Sequence, residues 1–231
     1  MHPTVKAARI AGAIYLLMVV TGPFSLIYVP SKLIVKGNAT ATASNILAHQ
    51  TMFQLAVLAG LVGAIIFICL AIALYRLFRE VDQTQSLLLV GFVLVSATVG
   101  FFDELNNLAA LTLFRGGEFL SVFNQDQLDA LGMLFVRLHF QGIIINELFW
   151  GLWLFPFGVL VCKSRFLPRI LGVWLVINCF AYVAISLTGI FAPQYYGRAF
   201  NMSQPILFGE IAIMLWLLIR GANVKALPAA A

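Results

Sequence analysis

Four acidic residues stand inside long apolar runs of the sequence, where an ionised side chain loses its hydration. They are Asp103, Glu104, Glu147 and Glu210. A carboxyl group in such surroundings needs a hydrogen-bond donor, a counter-ion, a ligand or a proton as compensation. These acids are therefore the first candidates for a site that binds a small polar ligand, an ion or a proton.

Other polar and aromatic residues lie close to these acids. Asn107 follows Asp103 by four residues, so the two share one face of a helix. Asn146 precedes Glu147 and lies seven residues after His139, so Asn146 and His139 align along one helix. The full set of candidate ligand-binding or proton-binding residues is Glu147, Glu210, Asp103, Glu104, Asn107, Asn146, His139, Trp150 and Trp153.

Each candidate also has a purely structural interpretation. Asp103 or Glu104 could pair with an arginine such as Arg137, and amides could join helices through hydrogen bonds. Glu147 and Glu210 have no basic residue at their depth, so they need hydrogen bonds, each other, a proton, an ion or a ligand. The tryptophans at 150 and 153 either pack against small residues or form the aromatic wall of a pocket.

Motifs of common catalytic sites are absent from the sequence. It has three histidines and no GxSxG, Walker or dinucleotide-binding pattern. A metal site built from His49, His139 and either Asp103 or Glu104 is conceivable, but we expect no metal and no cofactor. A membrane enzyme that acts on a lipid or periplasmic substrate through the carboxylates and His139 is the less favoured alternative.

The composition defines the elements that must position these residues. Of 231 residues, 62% are hydrophobic and 10% are charged, with a net charge of +5. A soluble domain carries about 25% charged residues, so this chain belongs in a lipid bilayer. Its basic residues are scattered singly between apolar runs, which argues against a nucleic-acid partner.

Six apolar runs are long enough, or nearly so, to cross a bilayer as helices, which takes about 20 residues each. We predict an all-α integral membrane protein, a bundle of six transmembrane helices in a single domain. The predicted spans are about 10–29, 52–75, 87–114, 138–162, 170–192 and 205–220, with outer loops at 30–50, 115–137 and 193–204.

Local signals predict further features of these elements. Asn38 can cap a short helix from Ala39 to His49, and Asn124 can cap the helix that leads into the fourth span. A helix from 125 to 162 would be about 57 Å long, so we expect a break near Gly132 or Gly142, or a helix that projects outward. The polar string in the third span predicts a helix that is polar around much of its circumference or locally unwound.

Basic residues predict that both termini are cytoplasmic, because cytoplasmic loops are enriched in Lys and Arg. Four basic residues, or five with Arg137, fall on the outer side. We also expect the first run to be retained as an anchor, since no small-x-small cleavage pattern follows it. Nine basic residues fall on the predicted cytoplasmic side: Lys6, Arg9, Arg76, Arg79, Lys163, Arg165, Arg169, Arg220 and Lys225.

The depth of the acids predicts where a site opens. At about 1.5 Å per residue, Asp103 lies about 27 Å, Glu147 about 24 Å and Glu210 about 15 Å from the cytoplasmic ends of their helices. Most of the unusual polarity therefore falls in the outer part of the membrane. This distribution predicts an outward-facing polar cavity that tapers down to Glu210.

Several motifs resemble one known family. They are the segments ELFWGLWLFPFG at 147–158 and KSRFLPRILG at 163–172, together with ARIAGAIYL at 8–16 and NIL at 45–47. They are similar to the uncharacterised, mainly bacterial, multi-pass membrane family called domain of unknown function 4386. The resemblance covers nearly the whole chain and implies a bacterial inner-membrane protein of about six helices. It supplies no catalytic residues.

Together these observations favour a membrane protein that binds, senses or transports a small ligand, an ion or a proton. Its expected partners are the lipid bilayer and such a small molecule or ion. A structural or interaction protein without chemistry remains a further alternative, and the sequence does not indicate an oligomeric state.

Overall fold

The computed structural model describes residues 2–223, so Lys225 lies outside the described residues. Within that range the chain is built of helices and short connections. In chain order the α-helices are α1 (Pro3–Pro23), α2 (Val29–Leu33), α3 (Ala39–Ala48), α4 (Gln50–Phe78), α5 (Gln83–Arg115), α6 (Gln125–Leu152), α7 (Leu154–Ser164), α8 (Arg169–Phe191) and α9 (Tyr196–Leu215). Single π-helical turns at Phe24–Tyr28 and Trp216–Arg220 continue α1 and α9.

Six helical stretches of the described chain are long and apolar enough to cross a membrane, which confirms the predicted number. They overlap the six predicted runs. The last stretch begins earlier than hydropathy alone indicates, because its first turns are polar. The stretches are Pro3–Leu33, Gln50–Phe78, Gln83–Arg115, Gln125–Ser164, Arg169–Phe191 and Pro193–Arg220.

Large apolar side chains cover the outside of these helices. Val20 is 65% exposed, Phe102 is 68% exposed and Ile170 is 73% exposed. Such surfaces are unfavourable in water, and a monomeric soluble protein rarely exposes large contiguous apolar patches. The pattern fits helices whose outer faces contact lipid, so the chain is an all-α integral membrane protein.

The chain divides into two compact units. The first comprises the described residues of Met1–Val19, Ile65–Ala97 and Ile144–Ala231, and the second comprises Val20–Ala64 and Thr98–Ile143. Residues of α1, α4, α5 and α6 contribute to both units. The candidate residues are therefore described unit by unit.

The core of the first unit is centred on Trp153, whose side chain is 1% exposed. Its indole lies edge-on to Phe67 at 5.1 Å between ring centroids and stacks on Phe157 at 5.5 Å. Tyr15 contacts the same indole at 5.9 Å. These offset and edge-on arrangements are the favoured geometries of aromatic pairs, so Trp153 joins helices α1, α4, α6 and α7.

Two glycines let α7 and α8 approach closely within this unit. A methyl group added at Gly158 would lie 2.6 Å from the carbonyl oxygen of Gly172. One added at Gly172 would lie 2.6 Å from the sulfur of Cys162. Small residues at such a crossing allow backbone-to-backbone packing between membrane helices.

The break in the fourth span lies at Trp153, between α6 and α7. The prediction of a break near Gly132 or Gly142 is therefore wrong. Pro156 has no N–H to donate to the carbonyl of Leu152, which interrupts the helical ladder at this point. The two glycines serve a different purpose: Gly132 packs against the ring of Phe114, and Gly142 packs against Asp103.

Both predicted helix caps are confirmed. The backbone N–H of Ala41 donates to Asn38 Oδ1 at 2.9 Å, and α3 ends at Ala48, with His49 as its C-terminal cap. The backbone N–H of Gln127 donates to Asn124 Oδ1 at 2.9 Å, just before α6. The third span is one continuous helix through its polar string, so local unwinding does not occur there.

A short loop between α4 and α5, predicted to be cytoplasmic, contains an ion pair. Lys163 Nζ donates to Asp82 Oδ2 at 2.6 Å, and the backbone N–H of Gln85 donates to Asp82 Oδ1 at 3.0 Å. The bond from Lys163, followed by that from Gln85, lowers the pKa of the partly exposed Asp82 carboxyl below its usual value. The pair joins the beginning of α5 to the end of α7 within the first unit.

Candidate functional site

Two tyrosines hold the carboxyl group of Glu210 in the first unit. Tyr15 OH donates to Glu210 Oε2 at 2.6 Å, and Tyr182 OH donates to Glu210 Oε1 at 2.8 Å. The bonds bring together α1, α8 and α9, which are far apart in the sequence. Glu210 is half-buried and Tyr15 is fully buried, so both oxygens of the carboxyl have a donor in apolar surroundings.

The predicted tryptophans lie beside these tyrosines. Tyr15 contacts both Trp153 and Glu210, which supports placing the indole and the carboxyl near one level. Trp150 meets Tyr182 edge-on at 6.3 Å between ring centroids. The indoles therefore form part of the aromatic surroundings of the Glu210 carboxyl group.

Glu147 is the most deeply buried of the candidate acids. Its side chain is 1% exposed, and Tyr196 OH donates to its Oε1 at 2.7 Å. Its second oxygen, Oε2, is buried and has no hydrogen-bond partner among the described residues. The two acids of this unit thus differ: Glu210 has a donor for each oxygen, whereas Glu147 has a donor for only one.

Asn146 occupies a separate buried contact in the same unit. Ser96 Oγ donates to Asn146 Oδ1 at 2.7 Å, and both residues are buried. The bond joins α5 to α6. This contact has the form of the interhelical hydrogen bonds that stabilise membrane bundles, worth about 0.6–2 kcal/mol each.

Asp103 and His139 form an ion pair in the second unit. His139 Nδ1 lies 2.9 Å from Asp103 Oδ2, and both side chains are mostly buried. Asn106 Nδ2 donates to Asp103 Oδ1 at 3.0 Å. The pairing links α5 to α6, and its partner is a histidine rather than the arginine that the sequence suggested.

Glu104 lies one position further along α5 and has its own partner. Asn107 Nδ2 donates to Glu104 Oε2 at 2.9 Å, and Gly60 of α4 leaves room for the carboxyl. Both α5 acids are therefore bonded to an asparagine three residues later. The polar string of the third span is satisfied within and between helices while the helix remains intact.

The candidate residues therefore fall into two groups, one in each unit. Glu147, Glu210, Asn146 and the two tryptophans belong to the first unit, and the remaining four belong to the second. The single outward-facing cavity stays a prediction. No set of three His, Cys, Asp or Glu side chains within residues 2–223 is arranged to hold a metal ion.

The sequence interpretation missed the hydroxyl partners of the acids. They are Tyr15, Tyr182, Tyr196 and Ser96. A tyrosine counts as apolar in a hydropathy run, so its hydroxyl gives no local signal. The available signal was the lack of basic residues near Glu147 and Glu210, which requires neutral donors from other helices.

Six apolar helices with buried polar clusters define the class, an all-α integral membrane protein. The chain belongs to the family described as Domain of unknown function (DUF4386), whose model matches residues 10–221. The resemblance drawn from the sequence motifs is therefore confirmed. The chain is also similar to an uncharacterized protein of Archaeoglobus fulgidus, with 27% identity over 161 residues, which cover 70% of this chain and 80% of that protein. No solved structure matches.

Proposed function

We propose that this protein binds a small ligand, an ion or a proton at buried carboxyl groups, and that it transports or senses what it binds. The observation that carries this proposal is Glu147, a carboxyl that is 1% exposed with one oxygen unpartnered among the described residues. Buried polar atoms of native proteins are paired in the large majority of cases. An exception on an acid inside a membrane span favours a functional role.

We further propose the side of the membrane from which the ligand enters and the membrane in which the protein lies. The charge pattern favours cytoplasmic termini, and the depth of the acids favours access from the opposite side through an outward-facing polar cavity. The family resemblance favours a bacterial plasma membrane. An ion or proton is favoured over an anion, because a carboxylate attracts cations and hydrogen-bond donors.

The test compares the protein in lipid vesicles with a double variant, Glu147→Gln with Glu210→Gln. The probes are protons, Na⁺, K⁺ and small ammonium ions. The readouts are the thermal stability of the protein with each probe and the transport of each ion across the vesicle membrane. We expect a response to at least one probe in the unchanged protein and its loss in the double variant. A response that survives in the double variant, or no response of the unchanged protein, contradicts the proposal.

A membrane enzyme is the second candidate function, and one contact favours it. Asp103 Oδ2 lies 2.9 Å from His139 Nδ1, an arrangement that orients an imidazole for general acid–base work. Incubation with membrane lipids followed by mass spectrometry tests this alternative. Conversion of a lipid that His139→Gln abolishes supports an enzyme, and unchanged lipids contradict this form of it.

A further inference from the structure

Three buried side-chain atoms of the first unit have no hydrogen-bond partner among the described residues. One is Gln85 Oε1, near the beginning of α5, and the other two, Glu147 Oε2 and Ser186 Oγ, belong to the neighbouring helices α6 and α8. Ser186 is 0% exposed and lies on α8, within the predicted span 170–192. A buried donor or acceptor without a partner costs about 1–3 kcal/mol, so two of them within one helix pair call for an explanation.

The contacts between α6 and α8 fix the relation of these two residues. A methyl group added at Gly189 would lie 2.6 Å from Ile144 Cγ2. One added at Gly151 would lie 3.0 Å from Tyr182 Cβ. Ile144 therefore contacts the end of α8, and Gly151, further along α6, contacts an earlier part of α8. The two helices run antiparallel here.

Glu147 and Ser186 both lie between these two contacts. Glu147 follows Ile144 by three residues and precedes Gly151 by four, so all three share one stripe of α6. Ser186 has the same spacing between the two contact residues of α8. The two stripes face each other, which places the carboxyl and the hydroxyl at the same level of the helix pair.

Tyr196 forms a third side of this position. Its hydroxyl donates to Glu147 Oε1 at 2.7 Å, and its ring atom Cδ2 lies 3.0 Å from a methyl group built at Gly189. The bond from Tyr196 fixes one oxygen of the carboxyl. The other oxygen, Oε2, has no hydrogen-bond partner among the described residues and could accept a ligand.

The charge of this position selects the kind of ligand. Two pairs of an acid and a base within residues 2–223, Asp82 with Lys163 and Asp103 with His139, do not involve Glu147. Ca²⁺ and Mg²⁺ take six or more oxygen ligands, commonly including more than one carboxylate. One carboxylate oxygen and one hydroxyl therefore suit a single positive charge.

We propose that Glu147 Oε2 and Ser186 Oγ form a binding site for one monovalent cation, either Na⁺ or a proton. This inference rests on the proposed function and names its ligand class. Tyr182 stands one helical turn from Ser186 and is bonded to Glu210, so it is the titratable neighbour on α8, as Tyr196 is on α9.

The test measures Na⁺ binding by calorimetry in lipid nanodiscs, with choline chloride as the reference salt. A pH indicator in weak buffer reports any proton released, and infrared spectroscopy reports the protonated carboxyl of Glu147. The variants are Ser186→Ala and Glu147→Gln. The matched control is Ser164→Ala, which removes a buried hydroxyl that already donates to the carbonyl of Val161 at 2.9 Å.

We expect Ser186→Ala to weaken Na⁺ binding by about tenfold or more, because a bond to a charged group is lost, and Ser164→Ala to leave it unchanged. If the ligand is a proton, Na⁺ has no effect, but Ser186→Ala shifts the infrared band of the protonated carboxyl that Glu147→Gln removes. If Ser186→Ala matches the control while Glu147→Gln abolishes the response, this site is wrong and the proposed function stands. If the unchanged protein shows neither response, both are wrong.

Discussion

At the scale of single residues, three of the four candidate acids accept hydrogen bonds from neutral hydroxyl or amide groups alone, and the fourth, Asp103, also pairs with His139. Tyr15 and Tyr182 bond both oxygens of Glu210, whereas Tyr196 bonds only one oxygen of Glu147. A neutral donor compensates a buried carboxyl without adding a second charge that must itself be desolvated. This difference in hydrogen bonding is the basis for proposing Glu147, rather than Glu210, as the carboxyl that accepts a ligand through its free oxygen.

The acids could be found from the sequence, but their partners could not. Composition identifies Glu147 and Glu210 as unusual because almost every neighbour along the chain is apolar. Their tyrosine partners lie 28 to 195 residues away along the chain. Which hydroxyl reaches which carboxyl depends on how the helices pack, and a single sequence does not contain that information in local form.

Removing the hydroxyl of Tyr15 tests the structural role of the Glu210 cluster. Tyr15→Phe leaves Glu210 Oε2 without its donor, and we expect a loss of about 1–2 kcal/mol in the free energy of unfolding. The measurement is denaturant or thermal unfolding in detergent. Tyr28→Phe, at a tyrosine that is 51% exposed, is the matched control. Equal stabilities of the two variants would show that the bond to Glu210 contributes nothing.

At the scale of helices, the sequence predicts the number of apolar helices and the residues that cap them better than it predicts where a helix is interrupted. Asn38 and Asn124 are N-caps because a short side-chain oxygen can accept from the first free N–H groups, which is a local property. The helix break, by contrast, lies at Trp153 and not at the glycines where the sequence predicts it. Gly132 and Gly142 are sites of close contact between helices, and a proline three residues later accounts for the break instead.

Replacing glycine by alanine should have opposite effects on stability at two positions, one at the crossing of α7 and α8 and one on α5. Gly172→Ala forces a methyl group against Cys162 and Gly158, so we expect a loss of about 1–3 kcal/mol. Gly91 is also helical, and nothing lies within 4 Å of a methyl group added there. Gly91→Ala should therefore be neutral or stabilising by up to about 1 kcal/mol, because alanine favours helix.

Thermal unfolding of the two variants in the same detergent checks this pair. Both positions lie in the first unit, and the chemical change is identical, so helix propensity cancels in the comparison. A Gly172→Ala variant as stable as Gly91→Ala would show that α7 and α8 do not depend on close backbone contact.

At the scale of the whole molecule, low charge and high hydropathy determine the class and leave the activity open. The same six apolar runs that predict the helices also provide their lipid-facing surfaces. The proposed function depends instead on the few polar groups that these helices bury, and the family description adds no activity to them. The molecule is therefore best tested through its orientation and its buried acids.

The charge pattern makes a definite prediction of orientation. If all six stretches cross the membrane, both termini lie on one side, and the excess of Lys and Arg predicts that this side is the cytoplasm. In a variant without its native cysteines, Lys36→Cys should react with a membrane-impermeant maleimide added outside cells. Glu80→Cys should react only after the membrane is opened. Both positions are exposed, so burial does not decide the outcome. If intact cells react at position 80 but not at position 36, the orientation is the opposite of the predicted one. The proposed site would then be reached from the cytoplasm.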